Sequence, residues 1–181
     1  VIPDAIPIVV LQAFGPVRFL FDFGDTAGDD IPGEQMNTLF ANGRIPGELY
    51  DQTRSAAERY GVIVQETESY GNLLAGTAAT ANLFPDSLQP SAKDVIRYRV
   101  RVNAKHDLPT RFATMAHELG HIYCGHLGAD VKGRWPDRCK LNHVQMELEA
   151  EAVAWLVCRR TGIATRSAEY LSSLATPENI R

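Results

Sequence analysis

Five consecutive residues, His117-Glu118-Leu119-Gly120-His121, constrain this chain more than anything else in it, because their chemistry makes sense only on a helix. One helical turn separates the two histidines, so both imidazoles leave the same face and can hold one metal ion. Glu118 then stands beside that ion, placed to handle a proton. The pentapeptide therefore predicts a local fold, a metal and a hydrolytic chemistry together.

The surrounding residues support a helix over 108–124. At 100° per residue, Phe112, Met115, Ala116, Leu119, Ile122 and Tyr123 gather opposite the histidines, which gives one core face and one site face. The site face is otherwise small, with Ala113, Thr114, Gly120 and Cys124, and leaves room for an ion and a substrate backbone. Asp107 suits the N-cap, Pro109 the first turn and Gly125 the C′ position. Cys124 reads as a small buried hydrophobe. His126 follows His121 by five residues, which fits no helical register, and it reads as loop.

Two histidines leave a catalytic zinc short of its usual three protein ligands. A second helix over 143–161 carries an apolar stripe of Val144, Met146, Leu148, Ala150, Val153, Ala154, Trp155 and Val157, and Glu147 projects within that stripe. A carboxylate there is costly unless paired, and an ion supplies the pairing. Glu147 is accordingly the expected third ligand. Glu151, one turn on, is expected to accept a hydrogen bond from a ligand histidine, although the two glutamates can exchange these roles on this reading. Glu149 projects toward solvent. His143, one turn before Glu147, is an alternative ligand or a group that reaches the reaction.

Elsewhere the pattern is coarser. Residues 6–23 read as a pair of apolar strands broken at Gly15-Pro16, and 24–50 as Gly/Asp/Pro-rich chain with short helices. A helix is expected over 48–60, stopped by Gly61, followed by a strand at 62–64. Residues 69–94 read as loops with a weak strand around 72–77. The segment 95–102 alternates, with Ile96, Tyr98, Val100 and Val102 on one face and Arg97, Arg99 and Arg101 on a solvated face or basic stripe. The division expected is 1–47, a strand pair and loop region, and 48–181, the main domain.

Composition limits the partners. A formal charge of −4 with no dense Lys/Arg block argues against a nucleic-acid surface. No apolar run approaches the length of a membrane span. Three cysteines without CxxC spacing argue against a disulfide framework and for the cytoplasm. The chain begins at Val1 rather than Met, so the lack of a signal peptide carries little weight. A protein or peptide substrate is the expected partner.

The run Arg111-Phe112-Ala113-Thr114-Met115-Ala116 leading into HELGH, with Glu147-Leu148-Glu149-Ala150-Glu151-Ala152-Val153-Ala154, resembles the ImmA/IrrE family of metallopeptidases and the related peptidase domain of ArdC-type antirestriction proteins. The likeness spans roughly residues 95–165. It implies an α+β, zincin-like domain in which a small mixed sheet packs on the active helix and a second helix brings a glutamate. It also implies one zinc, with Glu147 in the family's ligand position and Glu151 where the family usually has Asn. The activity implied is gluzincin-type cleavage of a cytosolic protein, a helix-turn-helix repressor in several members. In that chemistry Glu118 is the general base, and an edge strand such as 95–102 aligns the peptide. His143, Tyr123 and Tyr98 are candidates for oxyanion stabilisation. The ArdC likeness leaves a second reading, a metal-containing module that binds protein or single-stranded nucleic acid without cleaving it.

Overall fold

The computed structural model describes residues 8–10, 18–20, 41–69, 74–80, 97–130 and 132–174. They fall into two compact units, Val1–Thr38 and Leu39–Arg181. In the first unit, β1 (Ile8–Val10) and β2 (Arg18–Leu20) pair antiparallel, with Ile8 opposite Leu20 and Val10 opposite Arg18. The strand pair expected over 6–23 is thus present. The loop expected over 24–40 lies outside the described residues.

The second unit begins with α1 (Gly47–Glu58), which buries Tyr50 and Ala57. Gly61, at φ +79°, turns the chain into β3 (Val62–Thr67). Two further strands, β4 (Gly76–Thr80) and β5 (Tyr98–Asn103), complete a three-stranded sheet in the order β3-β5-β4. β3 runs parallel to β5, and β4 runs antiparallel to it. The result is a small mixed sheet in an α+β architecture.

Alternation in β5 explains its central place. Tyr98, Val100 and Val102 are buried on one face and meet Val62 and Val64 of β3 in the same cluster. Burying each such side chain stabilises the fold by about 1.5–3 kcal/mol. The opposite face departs from expectation, since Arg99 is only 5% exposed and does not belong to a solvated stripe. The strand is also central rather than an edge, paired on both sides, so it has no free edge on which to align a peptide. Among the described residues the edges of this sheet are β3 and β4, and β4 begins four residues later than the weak strand expected around 72–77.

Helix α2 (Leu108–Tyr123) fills the space against the sheet with Phe112, Met115, Leu119 and Ile122, all in the core cluster. Asp107 caps it by accepting the Thr110 N–H at 3.0 Å, and Arg111 ties it to β3 through Glu66 at 2.6 Å. Its C-terminus closes with Gly125 at φ +82°. The Gly125 N–H reaches the Ile122 carbonyl and the His126 N–H reaches the His121 carbonyl, both at 3.0 Å, which is the Schellman arrangement. Helix α3 (His143–Arg160) opens with a capping box between Asn142 and Gln145 and crosses α2 closely at Gly120. A Cβ on Gly120 would lie 3.1 Å from both the Cα and the carbonyl oxygen of Ala150, so glycine permits this approach. Helix α4 (Ser167–Leu174) packs on α3, and a bridge from Asn42 to Ala164 closes the unit.

Candidate metal centre

The close crossing at Gly120 brings the two helices' polar residues to one point. His117 and His121 lie one turn apart on α2, and their Nε2 atoms are 3.1 Å apart. Glu147 of α3 reaches both, with one oxygen 3.6 Å from His117 Nε2 and the other 3.4 Å from His121 Nε2. Within a tetrahedron of zinc-like bond lengths, neighbouring donors stand about 3.3–3.5 Å apart. The three observed separations bracket that value.

Hydrogen bonding on the far side of each ring fixes what those atoms present. His117 Nδ1 lies 2.9 Å from Glu151 Oε2, so it donates to the carboxylate, and its Nε2 carries a lone pair in the neutral ring. His121 Nδ1 faces His126 Nδ1 at 2.9 Å, and His126 Nε2 faces Glu149 Oε2 at 3.0 Å. Glu149 accepts, so His126 donates from Nε2 and accepts at Nδ1, and His121 donates from Nδ1. Its Nε2 is then also a lone pair. With both Nδ1 protons committed in this way, the two Nε2 atoms and the Glu147 carboxylate are what converge, and in the neutral rings they form a set that suits a cation.

The electrostatics follow from the same contacts. In the metal-free protein, burial pushes His117 down, but the carboxylates of Glu147 and Glu151, with Glu118 nearby, outweigh it and lift the ring to about 10, so that a proton on Nε2 takes the place a cation would fill. Hydrogen bonds from His117 and His121 hold Glu147 well below the usual carboxylate range despite burial. Burial raises Glu151, yet hydrogen bonds from His117 and Ser167 more than offset it, so this carboxyl is also held low. Glu118 differs: at 9% exposure, desolvation raises its pKa with help from Glu147, against His117, His121 and the Ala78 N–H. A carboxylate lifted in this way is a better proton acceptor than an exposed one.

β4 completes the site. The Ala75 carbonyl accepts from Asn103 N–H, so odd-numbered positions of this strand point their backbone groups at β5 and even-numbered ones point away. Ala78, an even position, gives its N–H to Glu118. Gly76 lies so close to α2 that a Cβ there would meet Thr114 Cγ2 at 2.5 Å and Glu118 Cγ at 3.4 Å. The sheet edge therefore runs along the helix beside Glu118.

The remaining candidates separate clearly. His143 sits at the start of α3, 3.8 Å from Glu147 Oε1, with its side chain 86% exposed. Tyr123 and Tyr98 pack on Trp135 at ring-centroid distances of 5.2 and 6.1 Å, and Tyr98 Oη reaches the Ala129 carbonyl. Both tyrosines thus belong to the aromatic cluster rather than to the point where the histidines and Glu147 meet.

Two residues read as incidental from the sequence prove to be part of the cluster. His126 is buried, and Glu149 is held by Arg138 through two 2.5 Å contacts rather than pointing into solvent. The Schellman geometry explains the first. Its C″ residue folds back over C3, and here C″ is His126 and C3 is His121. The signal was Gly125 itself, a C′ glycine immediately before a histidine. The second follows from the centre of the contact line. Ala150 and Ala154 are buried, and measured from Ala150 at 100° per residue, Glu147 and Glu151 flank one side and Glu149 the other.

The α+β fold, with its small mixed sheet and helices, is consistent with a peptidase domain. Residues 76–174, more than half of the chain, match the family model of the IrrE N-terminal-like domain, a family of peptidases, and the chain belongs to that family. Such peptidases are typically metal-dependent, in keeping with the His117, His121 and Glu147 group, whose ligand atoms all lie within 4.8 Å of one another. Comparisons with curated proteins and with solved structures found no match. No described helix is long and apolar enough to cross a membrane.

Proposed function

We propose that this chain is a zinc-dependent endopeptidase that hydrolyses a peptide bond in a cytoplasmic protein. The observation that carries the reading is the convergence of three lone-pair donors, His117 Nε2, His121 Nε2 and Glu147, one residue from the buried carboxylate of Glu118. These residues fit a zinc ion by donor type and spacing, and they would hold one per chain. When bound, zinc supplies a Lewis acid that lowers the pKa of water and polarises a carbonyl.

The chain's own residues do the rest. Glu118 takes a proton from the attacking water on a carboxylate oxygen and returns it to the leaving amine. The outward backbone groups of β4 at Gly76 and Thr80 align an extended peptide as an added strand beside Glu118. His143, exposed at the mouth, donates to the oxygen on which charge develops. Glu151 keeps His117 in the tautomer that presents Nε2. By likeness to the ImmA/IrrE family, a helix-turn-helix repressor heads the candidate substrates.

A non-cleaving metal module calls for a closed site with four protein ligands. The group found among the described residues has three, which favours the enzyme. Metal analysis with cleavage of candidate repressors, wild type against Glu118→Gln, tests the proposal. The variant is expected to hold one zinc and to lose about 10²–10⁴-fold in rate. Wild-type cleavage by Glu118→Gln, or zinc-free wild-type protein that cleaves equally well, would overturn it.

A further inference from the structure

Beside the three converging donors lies a second group of metal-ligand types, Cys124, His126 and Glu149, whose donor atoms also fall within 4.8 Å of one another. Its chemistry differs from that of the first. Both oxygens of Glu149 are engaged by Arg138 at 2.5 Å, and one of them also faces His126 Nε2 at 3.0 Å. The carboxylate's charge is already matched by a guanidinium, and the imidazole nitrogen facing it carries a proton. A second ion would have to displace both partners.

The geometry points instead to a positioning relay, Arg138–Glu149–His126–His121, that sets which nitrogen of His121 presents a lone pair. Each link has one direction. Arg138 can only donate, so Glu149 stays ionised and accepts. Glu149 fixes the His126 proton on Nε2, which leaves His126 Nδ1 as an acceptor 2.9 Å from His121 Nδ1. The His121 proton is then held on Nδ1, and Nε2 is free for an ion. If His126 carried its proton on Nδ1, His121 would be driven to protonate Nε2 and could not ligate. His117 reaches the same tautomer through one contact, to Glu151.

The chain is built to deliver these residues. The Schellman turn at Gly125 stacks His126 over His121, with ring centroids 5.1 Å apart and the planes at 68°. The same glycine lets the following loop come back close. A Cβ on Gly125 would overlap the Pro136 carbonyl oxygen, and the Arg138 N–H binds the Gly125 carbonyl at 2.9 Å. One glycine thus places both His126 and Arg138.

This inference rests on the metal-site reading given under Proposed function, and the experiment separates the two. Zinc affinity is measured by chelator competition for the wild type, His126→Phe and His126→Asn, alongside melting of the metal-free proteins. Histidine-tautomer NMR on the zinc-loaded wild type completes the set. The relay predicts about 10–100-fold weaker zinc binding for His126→Phe, read at a temperature where metal-free melting shows the variant folded. Substantial recovery is expected for His126→Asn, whose amide oxygen can accept from His121 Nδ1. In the wild type, His126 should carry its proton on Nε2. Equal affinity of the wild type and His126→Phe, or a proton on His126 Nδ1, would overturn the relay while leaving the metal site intact. A thiolate-to-metal band from Cys124 on adding a second equivalent of cobalt would overturn it in favour of a second ion site. Failure of the wild type to take up any zinc would instead sink the metal-site reading and the relay with it.

Discussion

Helices α2 and α3 contribute to the same cluster from opposite circumstances. Nine of the sixteen residues of α2 are buried, whereas only three of the eighteen in α3 are. α2 is therefore a core element that happens to carry His117, Glu118 and His121, fixed by Phe112, Met115 and Ile122 beneath them. α3 is a peripheral element whose inner line consists of alanines flanked by carboxylates. The difference teaches that the site joins a rigid half to an adaptable one. Its geometry depends on the core through α2 and on polar pairing through α3.

The largest effect expected from breaking this contrast comes from Met115→Ala. Met115 is fully buried on the core face of α2, and truncation there leaves a cavity costing about 2–5 kcal/mol. Chemical denaturation should show the loss directly. Because the substitution lies on the side of the helix away from the histidines, protein that remains folded should still bind metal. A stability change under 1 kcal/mol would mean that α2 is not the core element described.

The same contrast explains how much of each helix is legible in the sequence. α2 was legible to within a residue at its C-terminus, since its apolar period, Asp107 cap and C′ glycine all agree with the fold. α3 was legible as a helix but not in its orientation. Its apolar stripe, Ala150 and Ala154 included, places Glu147 near the centre, whereas the residues of that stripe that are buried are the small ones, Ala150 and Ala154, with Ala150 against Gly120. Centring the helix on the larger Val, Met and Leu side chains sends Glu149 to solvent. His126 was missed for a different reason: periodicity describes the helix, and the turn that returns His126 to His121 lies just past its end. β5 was read correctly as a strand, but its central position depends on β3 and β4, and no local pattern encodes that pairing.

An intermediate effect tests the connection between the helices. Asp130 is buried in the loop between them and bound by the Arg134 side chain, with Nε at 2.7 Å, and by the Lys132 and Arg134 amides. Arg134 first, then those amides, hold its carboxyl well below the usual carboxylate range against the opposing effect of burial. A depressed folded-state pKa contributes stability that is fully present above the unfolded value near 3.9 and is lost as the pH falls through the folded value. Asp130→Asn is expected to destabilise by about 1–3 kcal/mol at pH 7. The gap from wild type should narrow as the pH drops below about 4. A gap that stays constant from neutral to strongly acidic pH would rule out the ionised carboxylate as its source.

The smallest effect sharpens the comparison from the other side. Leu156 is 60% exposed on α3, among neighbours that include the exposed Arg159 and Arg160. Its side chain adds little to the core, and Leu156→Ala should change stability by no more than about 0.5 kcal/mol. Alanine's better helix propensity offsets part of the small packing loss. Thermal unfolding of wild type and variant at several protein concentrations checks this. A loss above 1 kcal/mol would mean that α3 is buried in solution by something beyond the contacts described, and a loss that grew with concentration would identify that cover as a second copy of the chain.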